Sequence, residues 1–316
     1  MAIFKDYLEN KSPLILHGAL GTEMESLGYD ISGKLWSAKY LLEKPEVIQK
    51  IHETYVTAGS DLITTSSYQA TLPGLIDAGL NEKEAEQIIA LTVQLAKNAR
   101  DKVWTALNDS EKAKRPYPLI SGDVGPYAAY LANGSEYTGD YGQITIEELK
   151  EFHRPRIQIL LNQGVDLLAL ETIPNHLEAQ ALIELLAKEF PEAEAYISFT
   201  VQEPGTISDG TSLDEIAQLV SQSDQILALG INCSSPLLYN QALAILKNAG
   251  KALITYPNSG EVYDGSTQTW KPKDKDALTL VEHSKDWHTQ FGVKILGGCC
   301  RTRPNDIKAL YAEFRT

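Results

Sequence analysis

Val293-Lys294-Ile295-Leu296-Gly297-Gly298-Cys299-Cys300-Arg301, close to the end of the chain, is a mostly apolar run that stops at two glycines and two cysteines. Its first half reads as a short buried strand, and Pro304 beyond it suits the first turn of a last helix. Adjacent cysteines do not readily bridge each other, because disulfide geometry needs Cα atoms further apart than one trans peptide allows. Two thiolates in one turn can still grip a soft metal ion, and the preceding glycines let backbone approach closely. The third cysteine, Cys233, stands in Gly230-Ile231-Asn232-Cys233-Ser234-Ser235-Pro236, again where an apolar run (Ile226 to Leu229) gives way to a loop. Three thiols at strand ends match what a catalytic zinc needs, three protein ligands and an open fourth position. Buried core thiols would carry the same pattern, so the rest of the chain has to decide.

Working outward, strand-like and helix-like segments alternate along the whole chain. Apolar runs fall at Leu14–Leu16, Leu62–Thr65, Pro118–Ile120, Leu167–Leu170, Ala195–Phe199, Ile226–Leu229, Ala252–Tyr256 and Val293–Leu296. Helical patterns lie between and after them, at Pro45–Ala58, Glu82–Leu107, Ile146–Asn162, His176–Phe190, Leu213–Ser221, Leu237–Asn248, Asp274–Phe291 and Pro304–Phe314. Eight near-continuous apolar strands separated by helices predict parallel pairing buried on both faces. An α/β fold of the (β/α)8 TIM-barrel type satisfies the count, and an open doubly wound sheet is the alternative. With no linker, repeat or low-complexity tract, one domain over residues 1–316 is expected.

Such barrels place their active sites at the C-terminal ends of the strands. Read there, the chain presents His17-Gly18-Ala19-Leu20-Gly21-Thr22, Thr65 to Gln69, Gly122 to Tyr127, Glu171-Thr172, Thr200 to Gln202, Asn232-Cys233, Pro257-Asn258-Ser259-Gly260 and Cys299-Cys300. All three thiols fall at one end of one barrel, on strands six and eight, which strengthens the metal reading.

Composition narrows the function classes. The chain has 316 residues, 43% of them hydrophobic, which is ample for a sizeable core. A formal net charge of −14 argues against nucleic acid or an anionic membrane as partner. No apolar run approaches a membrane span, and the start of the chain lacks a signal peptide's apolar core. Few cysteines and no export signal suit the cytoplasm.

Taken together, His17–Thr22 (HGALGT), Glu171-Thr172, Gly230–Cys233 (GINC) and Gly297–Cys300 (GGCC) resemble the homocysteine S-methyltransferase family, from about Leu14 to Ile307. The segment Gly125–Tyr141 is similar to the branch that uses S-methylmethionine or S-adenosylmethionine. The resemblance implies Zn2+ held by Cys233, Cys299 and Cys300, homocysteine as methyl acceptor, a sulfonium as donor, and methionine as product. Glu171 is the expected partner of the substrate ammonium, although a carboxylate capping the following turn would look the same. Asn258 and Asn232 are candidate substrate contacts, each also explicable as an ordinary strand-end or turn asparagine. His17 departs from the family, many members of which carry aspartate there, and its neutral ring can only accept or donate a hydrogen bond. The Tyr127–Tyr141 stretch reads as a lid or donor-site wall, where aromatic faces would attract a sulfonium. His52, His153, His176, His283 and His288 sit in or beside helical patterns and read as surface or structural. The alternatives are methylation from another donor such as betaine, or a non-catalytic zinc-binding barrel.

Overall fold

The computed structural model describes residues 3–32, 36–264, 269–271 and 277–315. Its main sheet has eight parallel strands: β1 (Leu14–Ile15), β2 (Leu62–Thr64), β3 (Leu119–Val124), β4 (Leu167–Ile173), β5 (Ala195–Phe199), β6 (Ile226–Asn232), β7 (Ala252–Tyr256) and β10 (Ile295–Leu296). The strand order is β1-β10-β7-β6-β5-β4-β3-β2. A parallel bridge from Leu16 to Leu62 brings β1 against β2 and closes the circle. The expected (β/α)8 barrel is therefore the fold. A small antiparallel hairpin, β8 (Val262–Asp264) with β9 (Thr269–Lys271), follows β7.

Helix boundaries follow local chemistry. Capping boxes start the helices Glu82–Ala106 (Asn81 with Glu84), Ile146–Asn162 (Thr145 with Glu148), Leu213–Ser221 (Ser212 with Glu215) and Leu280–Phe291 (Thr279 with Glu282). In each, the cap side chain accepts the N3 amide while the glutamate accepts the cap amide. The last of these starts later than the Asp274 expected from periodicity, and residues 274–276 lie outside the described residues. Three strands run further than their apolar cores: β3 to Val124, β4 to Ile173 and β6 to Asn232. Polar residues there face the barrel interior, so Asp123 and Glu171 sit on strands rather than in loops.

The interior is layered. Leu14, Leu62, Leu119, Leu167, Tyr196 and Ile295 pack with Phe4, fully buried on the N-terminal helix Ile3–Leu8. That helix stops the N-terminal end of the barrel, and Glu194 accepts the Phe4 amide at 2.7 Å. The seam between β1 and β2 depends on Asp61, which is fully buried. Its amide donates to the Ile15 carbonyl at 2.6 Å, and its Oδ2 accepts the Ile15 amide at 2.9 Å. Arg315 at 2.6 Å and Arg115 at 3.6 Å neutralise it, and Arg315 also ties the Pro13 carbonyl. Removing that carboxylate leaves two buried cations without their counter-charge and a seam amide without its acceptor. Asp61→Ala should cost about 3–5 kcal/mol, read as a lower denaturant midpoint; a loss under about 1 kcal/mol would contradict this role.

Candidate active site

The thiols meet because β7 holds both cysteine loops. The Cys233 amide donates to the Tyr256 carbonyl at 3.2 Å and the Cys299 amide to the Pro257 carbonyl at 2.7 Å. In return, the Asn258 amide donates to Ser234 at 3.1 Å and the Ser259 amide to the Cys300 carbonyl at 3.0 Å. Gly297 and Gly298 are required by closeness. A Cβ on Gly297 would stand 2.7 Å from Leu16 Cβ, and one on Gly298 2.6 Å from Thr302 Cβ. Cys233 itself has φ of 49°, a left-handed conformation unusual for a non-glycine residue.

The three sulfurs lie within 4.8 Å of one another, and Cys233 and Cys300 Sγ are 3.6 Å apart. Tetrahedral coordination with ~2.3 Å bonds separates sulfurs by about 3.8 Å. Sulfurs so placed need to move by no more than about 1 Å relative to one another to hold one soft cation. Each cysteine is partly exposed to a cavity of about 1350 Å³ at the C-terminal ends of the strands. Hydrogen bonds from Cys233 and Cys299 hold the Cys300 thiol well below its ordinary pKa. Those that Cys299 makes with Cys233 and Cys300 push its own thiol well above. The cluster thus favours a thiolate at Cys300 before any metal arrives.

Glu171 lies in the same cavity wall. Burial pushes its carboxyl up to about 7, against hydrogen bonds from Tyr256 and Asp123 that favour the ion. Tyr256 Oη donates to it at 3.1 Å and is itself bonded to Ser198. His17 also lines the cavity, its Nδ1 on the Gly18 carbonyl at 2.5 Å and its Nε2 buried without a hydrogen-bond partner. Burial lowers its pKa, so the ring is neutral. Asn232 commits its amide to Thr172, accepting the Thr172 amide at 3.0 Å and donating to Oγ1 at 2.8 Å. It thereby holds Thr172, whose φ is 64°, in place beside Glu171. Asn258 leaves its Oδ1 buried and without a hydrogen-bond partner.

Three further residues line the cavity: Glu136 and Asp123, which the sequence did not single out, and His52, which read as surface or structural. His52 is buried, and desolvation followed by repulsion from His17 lowers its pKa to about 3. Glu136 is pushed up by burial and then by Cys300. Asp123 is 4% exposed and faces Glu171. Strand alternation was its available signal: Leu119 points inward, so Ser121 and Asp123 do too.

The Tyr127–Tyr141 stretch is a built wall, containing the helix Tyr127–Leu131 and a turn of 3-10 helix at Ser135–Tyr137. Buried Glu178 anchors its two ends, accepting the Tyr127 amide at 2.6 Å and Tyr141 Oη at 2.5 Å, with His153 Nε2 at 2.7 Å. His153 is therefore a buried structural residue.

The model for the family described as homocysteine S-methyltransferase matches residues 14–314. The chain belongs to the homocysteine S-methyltransferase family. Homocysteine S-methyltransferase YbgG of Bacillus subtilis (strain 168) is 45% identical over 305 residues, covering 96% of this chain and 95% of the relative. The homocysteine S-methyltransferase of Escherichia coli (strain K12) is 42% identical, covering 97% and 96%. The crystal structure of the homocysteine methyltransferase MmuM from Escherichia coli, in its metallated form, matches with a TM-score of 0.85 and 40% identity over 98% of each chain. Membership makes this protein a methyltransferase with small-molecule substrates. No helix among the described residues is long and apolar enough to cross a membrane.

A carboxyl that titrates near 7 when folded but near 4.5 when unfolded keeps its proton only in the folded state between those values. Stability then falls as pH rises through that window and is level above it. In chelator-treated protein, Glu171→Gln should abolish this fall and be the more stable form at pH 8, by on the order of 2 kcal/mol. Parallel stability–pH curves for the two proteins would contradict the assignment.

Proposed function

We propose that the protein transfers a methyl group from a sulfonium, S-methylmethionine before S-adenosylmethionine, to the thiol of homocysteine, giving methionine. The observation that carries this reading is the triangle of cysteine sulfurs opening into the same cavity as Glu171. A thiol-bearing amino acid needs one anchor for sulfur and one for its ammonium, and these are the two anchors present.

Cys233, Cys299 and Cys300 would hold zinc. Zinc on three thiolates supplies the Lewis acidity that keeps a further sulfur deprotonated at neutral pH, where a free thiol of pKa ~8.5 is mostly protonated. The orphaned Asn258 Oδ1 fits an oxygen that satisfies the metal or the substrate's polar groups, since a buried acceptor left alone is costly. Glu171 would accept from the substrate ammonium, and His17 Nε2 offers a neutral acceptor in the same wall. Asn232 would act through Thr172, holding the backbone that carries Glu171.

In the transfer, a lone pair of the homocysteine thiolate forms the new S–CH3 bond. The donor's C–S bond breaks with its electron pair returning to the donor sulfur, which leaves as a neutral thioether. The proton lost is that of the thiol. Glu136 and Tyr137, both lining the cavity, present a carboxylate and an aromatic face to the approaching cation. Betaine would release a more basic amine.

Initial rates with S-methylmethionine, S-adenosylmethionine and betaine, at matched concentration and saturating homocysteine, test the reading. A sulfonium should be fastest, and Cys299→Ser should lose both zinc and turnover. Betaine outpacing both sulfonium donors would overturn the donor assignment. Full zinc content and unchanged turnover in Cys299→Ser would overturn the metal role.

A further inference from the structure

Two other buried carboxylates among the described residues stand against several donors or cations. Glu178 takes three donors, and Asp61, although its Oδ1 also has no hydrogen-bond partner, faces two arginines and accepts an amide through Oδ2. Asp123 is different. Its Oδ1 is buried and receives no N–H or O–H. The backbone around it is fixed, since its amide donates to Thr65 Oγ1 at 2.9 Å and its carbonyl accepts from Ser67 Oγ at 2.8 Å. The side chain is therefore aimed, and it is aimed into the cavity wall.

What faces it there is the Glu171 carboxyl, within hydrogen-bonding reach on the neighbouring strand. In the β3–β4 register Asp123 pairs with Ala169, and Glu171 lies two residues further on the same face. Two acids cannot satisfy each other as two carboxylates. They need a shared proton, or a cation bearing several N–H donors. Arg156 is the cation whose field reaches Asp123. Its two Nη atoms go to the carbonyls of Ser67, Tyr68 and Gly125 and to His153, and its buried Nε makes no hydrogen bond, to Asp123 or to any other group. His17 is neutral and brings no charge.

We propose that Asp123 and Glu171 together form the seat of the homocysteine ammonium, and that Asp123 makes the site select an α-amino thiol over the same thiol acid without its amine. An ammonium lying between them donates to both carboxylates and replaces the shared proton. The cysteine cluster is close enough for the Cys300 charge to be felt at Glu171, so one short amino acid reaches both. This inference rests on the functional reading above and adds to it a second carboxylate from β3.

The test is calorimetric titration of zinc-loaded protein with homocysteine and with 4-mercaptobutyrate, which keeps the thiol and carboxylate and lacks the amine. Wild type, Asp123→Asn and the smaller Asp123→Ser are compared, with zinc content and thermal unfolding confirming that each variant is folded. The expected result is a loss of homocysteine affinity of about tenfold or more in both variants. Affinity for 4-mercaptobutyrate and the KM for the sulfonium donor should stay unchanged. Equal losses for the two thiols, no loss for homocysteine, or a change confined to the donor KM would each overturn the proposal. A wild-type protein that binds neither thiol would instead overturn the functional reading itself.

Discussion

Four backbone hydrogen bonds from the end of β7 to the loops after β6 and β10 are the constraint on which the site depends. Tyr256 and Pro257 accept from Cys233 and Cys299, while Asn258 and Ser259 donate to Ser234 and Cys300. Two loops far apart in sequence are thereby clamped on either side of one strand end, and three sulfurs converge without relying on side-chain flexibility. The strained φ of Cys233 and the absence of side chains at Gly297 and Gly298 are local costs of that clamp. The clamp in turn needs a closed barrel. Strands β6, β7 and β10 pair directly with one another, and β1, beyond β10, is secured to β2 through Asp61.

Above the apolar layers the barrel interior turns polar. Thr64 and Ser121 bond each other at 2.9 Å, Ser198 bonds Tyr256, and Tyr256 reaches Glu171. Placing Glu171 and Asp123 in this layer raises both of their pKa values, mainly through burial. The folded state gives up stability there to keep both acids buried in the cavity wall. The other buried polar knots, Glu178 and Arg156, carry no such deficit of partners on the carboxylate side. They lock the Tyr127–Tyr141 wall and the loops after β2 and β3 in place. The cysteine triangle and the Asp123–Glu171 pair line the same cavity.

Much of this was legible in the chain. Eight apolar runs separated by helical periodicity specify parallel strands and the barrel, and the strand-end rule brings Cys233, Cys299 and Cys300 to one rim. Strand ends were harder to read, because the signal for a buried strand is apolarity. Ser121-Gly122-Asp123 looks like a loop although it continues β3 into the polar layer, and the same holds for Glu171 on β4. Partner counts are not written in sequence either. Asn232 reads as a possible substrate contact, yet its amide is committed to Thr172, whereas Asp123 reads as a loop acid and keeps a buried oxygen without a donor in the cavity wall. The helix Ile3–Leu8 is too short for periodicity to reveal, and its role as a stopper comes only from Phe4 packing against strands distant in sequence.

On the proposed function, the cysteine triangle offers a fourth position to substrate sulfur. X-ray absorption at the zinc edge of the purified protein measures this directly. Without substrate, the first shell should contain three sulfurs at ~2.3 Å and one lighter oxygen or nitrogen atom. Adding homocysteine should replace the lighter atom and give four sulfurs. A first shell that stays the same under saturating homocysteine, or that already holds four protein ligands with no exchangeable atom, would contradict the account.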